Sequence, residues 1–414
     1  KFKNGVINMD YENLYANRIG GSNFGKDTTI YKFEKIKRAK AKAIKSNPNI
    51  EIIDFGVGEP DKIAPKIIRD SLKIAVDKSE NRGYSDNGTS IFKNAAIKYM
   101  DNFFNVKINP DTEINHNIGI KSSLSMIPLA FVNKGDIVFQ TVPGYPVMAT
   151  HSKYLGAQIV NIPLLEENNF LPDLSKINSD DAKKAKLFYI NYPNNPTGAV
   201  ATDSFYDELI EFALKNNILI VQDAPYATLV FDQNYKSILQ RPNAKKCAIE
   251  LHSMSKSFNM TGWRLGFFCG APWAVKALAY IKDNSDSGQF KAIQEAASEG
   301  IADIHLAKEI SDHYKKRLEK MVNVLKSIGF NAHMPKGTFY LYVNAPVGAE
   351  NVTFQNAEEA ALYLIENYGI STVPWDDNGA FLRFGAVFES KDNKDDERVL
   401  NLLSDRLRNA NLIF

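Results

Sequence analysis

Ser253-Met254-Ser255-Lys256-Ser257-Phe258 sets a lysine directly after an apolar, β-rich run at 247–252. A charged amine is costly away from water. A lysine that ends a strand ordinarily just reaches solvent, so this position gains meaning only in company. Three other segments supply it. Asn191-Tyr192-Pro193-Asn194-Asn195-Pro196-Thr197-Gly198 follows a second such run and, alone, reads as a Pro/Gly turn. Val221-Gln222-Asp223-Ala224-Pro225-Tyr226 puts a carboxylate at the end of a third, where an aspartate can equally cap a turn. Arg264, in Thr261-Gly262-Trp263-Arg264-Leu265-Gly266, lies eight residues beyond Lys256. An amine, a carboxylate and a guanidinium thus gather where ligands bind in open α/β sheets, in the crevice beyond the strands' carboxyl ends.

The elements that must position them follow from pattern. Runs at 137–141, 186–191, 218–222, 247–252 and 265–269 read as strands bounded by turn residues. Between two of them, Asp203 or Ser204 is placed to cap a helix carrying Leu209, Ile210, Phe212 and Ala213. Such alternation implies an α/β domain with a mainly parallel, buried sheet. After about residue 300 the texture changes: a long charged helical pattern (305–328), a β-rich run (338–343), a helix (357–368), a strand (381–384) and a final helix. This predicts a large domain over 51–300 and a smaller α+β domain built from 301–414 with the N-terminal segment 1–50.

Composition narrows the function. The 414 residues carry 50 Lys+Arg against 48 Asp+Glu, a formal charge of +2, which gives no electrostatic argument for nucleic acid or a membrane surface. The dense basic stretch 32–45 also carries Phe33, Ile36, Ala39 and Ala43 at helical spacing, the pattern of an amphipathic helix with a solvated basic face. Two cysteines, Cys247 and Cys269, sit in apolar stretches and read as buried free thiols. There is no apolar run of transmembrane length, and the first residues, Lys1-Phe2-Lys3-Asn4-Gly5, lack a signal-peptide core, so the cytoplasm is the expected location. None of the six histidines shows metal-ligand spacing, His252 reads as a packed residue, and there is no nucleotide-binding glycine motif.

In order, Asn-Pro-Thr-Gly at 195–198, Asp-x-x-Tyr at 223–226, Ser-x-Ser-Lys at 253–256 and Gly-x-Arg-x-Gly at 262–266 resemble the signature of the class I/II aminotransferases. The resemblance runs from about Asp54 to Phe388. It implies an aspartate-aminotransferase-like α/β fold (fold type I) and pyridoxal 5'-phosphate as cofactor. By the same resemblance Lys256 carries the cofactor covalently and Asp223 pairs with its pyridine nitrogen. Asn195 and Tyr226 bond its phenolic oxygen. Ser253, Ser255 and Arg264 hold its phosphate, helped by the turn at Ile120 and Lys121. Tyr145 stacks on the ring, and Tyr84 reaches the phosphate of a neighbouring subunit, which implies a homodimer with shared sites. Arg383 clamps the substrate α-carboxylate, with Gly58 and Asn195 assisting. No metal is implied.

The physics suits these roles. A buried aspartate beside a ring nitrogen favours its protonated form. A phosphate suits a helix N-terminus, hydroxyls and a guanidinium fork. A bidentate arginine fixes a carboxylate and so the adjacent Cα–H, and a freed lysine amine can move that proton. The stretches 31–36, 56–61, 81–84 and 283–290 are similar to the branch acting on LL-diaminopimelate. Better-known members carry a glutamate soon after the Gly-Tyr pair, and this chain reads Asp86-Asn87-Gly88-Thr89-Ser90. Asp86, Asp283 or Asp286 is then the expected contact for a distal ammonium. The expected activity is amino transfer between an amino acid and a 2-oxo acid, with LL-diaminopimelate and 2-oxoglutarate as the pair. The alternatives are an aspartate, alanine or aromatic aminotransferase, a C–S lyase, or a ligand-sensing module without turnover.

Overall fold

The computed structural model describes residues 11–26, 32–231 and 234–414. Residues 1–5, Tyr31 and the side chains of Lys32 and Phe33, to which the sequence reading also refers, lie outside the described set. After the short strand β1 (Ile53–Asp54) come β2 (Ile114–Asn117), β3 (Ile137–Val142), β4 (Gln158–Pro163), β5 (Ala185–Asn191), β6 (Leu219–Asp223), β7 (Ala248–Ser253) and β8 (Gly266–Gly270). The last seven form one sheet in the order β2-β8-β7-β6-β5-β3-β4. Neighbours run parallel from β4 through β3, β5 and β6 to β7. Only β8 is antiparallel, to β7 and to β2.

Side chains alternate across this sheet, as the two-residue strand period requires. Val138, Leu187, Val221 and Ile249 pack with Ile120, Leu124, Ile127 and Leu278 on one face. Phe139, Phe188, Ile220 and Ala248 pack with Tyr99, Leu209 and Ile210 on the other. Both faces are covered, which is why these strands read as continuous apolar runs. Every strand expected from the sequence is present, shifted by no more than two residues. The helix Asp203–Asn216 is capped differently from the expectation: Thr202, not Asp203 or Ser204, has the extended backbone of a cap. Its Oγ accepts from the Phe205 amide at 3.1 Å. Asp203 instead sits in the first turn, where its charge favours the helix dipole.

A second sheet is antiparallel and carries Arg383. The strand Phe381–Gly385 lies between Val373–Trp375 and β9 (Tyr340–Asn344). Helices Ile304–Ile328, Ala357–Tyr368 and Asn393–Asn409 accompany it. The segment leaving β1 runs beside these strands: Ile53 pairs with Ile370, and the Gly385 amide donates to Phe55 O at 2.7 Å. In the helix Lys32–Ser46, Ile36, Ala39 and Ala43 are buried. The basic face is solvated as expected, with Lys37, Arg38, Lys42 and Lys45 exposed, and several of its charges are also paired. Lys35 meets Glu358 (2.6 Å), Lys40 meets Asp54 (2.5 Å) and Lys42 meets Glu366 (2.5 Å). Cys247 and Cys269 are buried free thiols. Among the described residues, no helix is long and apolar enough to cross a membrane, and no group of three or more His, Cys, Asp or Glu is placed to hold a metal ion.

Candidate active site

The carboxyl ends of β5, β6 and β7 deliver Asn191, Asp223 and Ser253 to one edge of the sheet, and β6 and β5 are registered so that Asp223 lies opposite Asn191. Asp223 is buried. Its Oδ2 accepts from the Tyr189 hydroxyl at 2.8 Å, while its Oδ1 has no partner among the described residues. Burial raises its carboxyl to about 7, although the Tyr189 bond pulls the other way. A buried carboxylate oxygen left over in this way calls for a cation or an N–H donor from a ligand.

Lys256 lies in the short helix Met254–Ser257 that follows β7. Its Nζ donates to Gly58 O at 2.6 Å. Burial lowers the amine from 10.5 to about 8; Glu59 opposes the change and Arg264 and Arg383 add to it. A neutral amine is the nucleophilic form. In cofactor-free protein, covalent labelling of Lys256 by an amine-reactive reagent should therefore reach half its maximal rate near pH 8. An ordinary lysine would need a pH above about 10. Peptide mapping of the labelled protein across the neutral-to-alkaline range checks this, and a Lys256 profile like that of surface lysines would remove the desolvated amine from the account.

Around the helix Ile120–Phe131 the chain forms a cradle. Gly119 precedes it at φ 75°, and no side chain caps the helix. A Cβ at Gly119 would lie 2.3 Å from Arg264 Nη2, so glycine lets the guanidinium close on the helix start. The Arg264 Nη1 approaches Ser255 Oγ at 3.5 Å and donates to Thr261 O at 2.9 Å. Ser253 Oγ accepts from the Ser255 amide. The Ile120 and Lys121 amides at a helix N-terminus, two hydroxyls and a guanidinium have the chemistry of an anion site. Burial raises the phenol of the partly exposed Tyr145; the Asp223 charge adds to the rise and Arg264 opposes it.

Arg383 is nine-tenths or more buried, at 4% exposure. Its Nη1 donates to Asn195 Oδ1 at 2.9 Å and its Nη2 to Gly56 O at 3.1 Å; its Nε has no partner among the described residues. A guanidinium has five N–H donors, so capacity remains for a carboxylate. Behind it, the buried Arg317 joins the Ala386 and Phe388 carbonyls to Asp396 and Asp61. That fastens Asp61, three residues after Gly58, to the segment that follows the strand of Arg383.

Tyr84 is not brought to this group: it is 81% exposed on a loop held by Ser85 and Gln289. Of the acidic residues considered for a distal ammonium, Asp286 already accepts from Lys282 (2.5 Å) and the Gly288 amide (2.8 Å), and Asp283 accepts from Asn87 (2.5 Å). Asp86 is exposed. Three contributors were missed in the sequence. Tyr189 holds Asp223. Asn191 ties the site backbone, donating to Asp223 O (2.7 Å) and accepting from the Asn195 amide (2.8 Å). Tyr340 contacts both Tyr226 and Arg383. Strand register could have suggested Asn191, which ends β5 as Asp223 ends β6.

Comparison with known proteins matches residues 50–389 to the family "Aminotransferase class I and II". The LL-diaminopimelate aminotransferase of Methanocaldococcus jannaschii is 49% identical over 413 residues, covering 97% of this chain and 99% of that one. Substrate-bound BacF from Bacillus subtilis superimposes with a TM-score of 0.86 at 31% identity, over 97% of this chain and 98% of that one. A single mutant of Thermus thermophilus aspartate aminotransferase shares the fold, with a TM-score of 0.81 at 21% identity over 95% and 99%.

Proposed function

The chain belongs to the class I and II aminotransferases, and from that premise we propose that it moves an amino group from LL-diaminopimelate to 2-oxoglutarate with pyridoxal 5'-phosphate as cofactor. The observation that carries the substrate is the near-full-length identity of 49% with a diaminopimelate aminotransferase. The cofactor reading is supported by the fit of the residues present. The unpartnered Asp223 Oδ1 suits a protonated ring nitrogen. The cradle of Gly119, Ser253, Ser255 and Arg264 suits a phosphate. When bound, the cofactor supplies a carbonyl for the amino group and a ring that accepts electrons from Cα.

The chain's own residues supply the rest. Asp223 keeps the ring nitrogen protonated. Tyr226 and Asn195 would bond the cofactor's phenolic oxygen, and Tyr145 would cover its ring face. Arg383, with Asn195 and the Gly58 backbone, holds the α-carboxylate so that the Cα–H faces Lys256. Lys256 Nζ, lowered by burial to about 8, would take that proton in its neutral form and hold it for return. Asp86, an exposed residue on the loop of Tyr84, is the acidic residue left to meet the distal ammonium. The crevice lies between a large domain over 51–300 and a smaller one formed by 301–414 together with the N-terminal segment.

The test is a donor screen against 2-oxoglutarate with LL- and meso-diaminopimelate, aspartate, alanine and tyrosine. The proposal expects LL-diaminopimelate to give the highest kcat/KM, with ping-pong kinetics. A preference for aspartate, alanine or tyrosine would transfer the chain to the runner-up activity, and binding without turnover would make it a sensor.

The exposed Tyr84 supports a homodimer in which each site borrows this tyrosine from its partner. Mixing Tyr84→Phe chains with Lys256→Ala chains should then restore activity above either parent, because one site of each mixed dimer carries neither lesion. No recovery in proven mixed dimers would place Tyr84 outside the site.

A further inference from the structure

Tyr340 stands where the motifs of the site converge. The residue is 1% exposed. Its hydroxyl is 3.1 Å from the Tyr226 hydroxyl. The Arg383 guanidinium lies over its ring, 4.0 Å from the centroid. A Cβ on Gly58 would come within 3.1 Å of the Tyr340 hydroxyl, so glycine at that position leaves room for it. One side chain therefore touches the tyrosine assigned to the cofactor, the arginine assigned to the substrate, and the backbone segment that also receives Lys256.

The chain goes to some length to fix this residue. β9 is registered so that Tyr340 pairs with Gly385, two residues from Arg383. The segment before it is clamped from two sides: the Gly337 amide donates to Gly198 O at 3.0 Å and the Thr338 amide to Leu229 O at 2.8 Å. Thr338 adopts φ 67°, unfavourable for a β-branched residue, and its Oγ1 accepts from the Tyr340 amide at 3.1 Å. Strain of this kind persists only where the surroundings over-determine it, and it tends to mark functional sites.

We propose that Tyr340 is a positioning residue with two separable duties: its hydroxyl donates to Tyr226, turning the Tyr226 proton toward the cofactor's phenolic oxygen, and its ring face holds the Arg383 guanidinium for the substrate carboxylate. The 3.1 Å contact admits either hydroxyl as donor, and the chemistry around it favours Tyr340. A guanidinium over the ring draws electron density from the phenol and makes its O–H the better donor. A hydroxyl that accepts one hydrogen bond donates more strongly in the next. The inference rests on the cofactor reading above.

Two variants of the holoenzyme separate the duties. Tyr340→Phe keeps the ring and loses the hydroxyl. The pH midpoint of the bound cofactor's visible absorbance should rise by about half a unit, because the phenolic oxygen loses part of its stabilisation as an anion. Affinity for pimelate, the seven-carbon dicarboxylate without amino groups, should stay within about twofold, since the cation–ring contact survives. Tyr340→Leu removes both features, and pimelate affinity should then fall about fivefold as well. An unmoved midpoint in Tyr340→Phe, or unchanged pimelate binding in Tyr340→Leu, would overturn the proposal while leaving the cofactor assignment standing. A wild-type protein that binds pyridoxal phosphate without a visible band would overturn both.

Discussion

Replacing Lys256 with alanine should reduce transamination by about four orders of magnitude, the upper end of what a positioned acid–base group contributes. The loss is large because, in the proposed function, one amine serves twice, as the covalent tether and as the carrier of the Cα proton. It does not depend on loss of fold. Lys256 is part-buried and makes one hydrogen bond, to Gly58 O, so truncation to alanine removes a costly desolvated amine and frees one carbonyl. Arg264, Ser253, Ser255 and the helix start at Gly119 remain to hold the phosphate. Pyridoxal phosphate should thus still bind to Lys256→Ala, reversibly, and dialyse away faster than from wild type. Steady-state rates with an amino acid and 2-oxoglutarate measure the effect. A variant within tenfold of wild type would remove Lys256 from the chemistry.

Asp223→Asn should lower kcat roughly a hundredfold, the usual scale for deleting one preorganised electrostatic contact to a reacting group. The substitution preserves size and leaves the Tyr189 hydroxyl a partner, but it replaces a carboxylate with a neutral amide. In the cofactor-free protein burial holds this carboxyl at about 7. A protonated ring nitrogen against the unpartnered Oδ1 would pull it back down, since a nearby positive charge favours the ionised acid. The sign follows: cofactor binding should release protons from Asp223 when the apoprotein is loaded below about pH 7, and should release none from it well above that value. Calorimetry in buffers of differing ionisation enthalpy reads the proton count. An Asp223→Asn protein with unchanged kcat would mean that some other group keeps the ring protonated.

Much of this was legible in the sequence for a physical reason. Parallel strands buried on both faces leave continuous apolar runs, and the residues that end β5, β6 and β7 are the ones the crevice exposes to a ligand. Lys256, Asp223, Asn195 and Arg264 could be singled out because each follows a strand or a turn that is itself visible. Tyr189 and Tyr340 were not visible, because their contacts depend on strand register and on which side chains face each other across two sheets. The helix cap was misassigned because Thr202, Asp203 and Ser204 are adjacent oxygen-bearing residues, and backbone geometry alone chooses among them. Asp286 is engaged by Lys282, four residues before it, although it lies beyond the end of the helix Pro272–Asp283, so only the folded turn shows the pairing.

The most direct measurement is borohydride reduction of the purified holoenzyme followed by peptide mass mapping. Reduction converts a reversible carbon–nitrogen link into a stable one and marks the amine that carried the cofactor. One phosphopyridoxyl group per chain is expected, on the peptide containing Ser253-Met254-Ser255-Lys256, and none when Asp223 and Arg264 are replaced together so that the cofactor is no longer held. A label on Lys121 or another lysine, or no label in protein that turns over amino donor and 2-oxo acid, would contradict this.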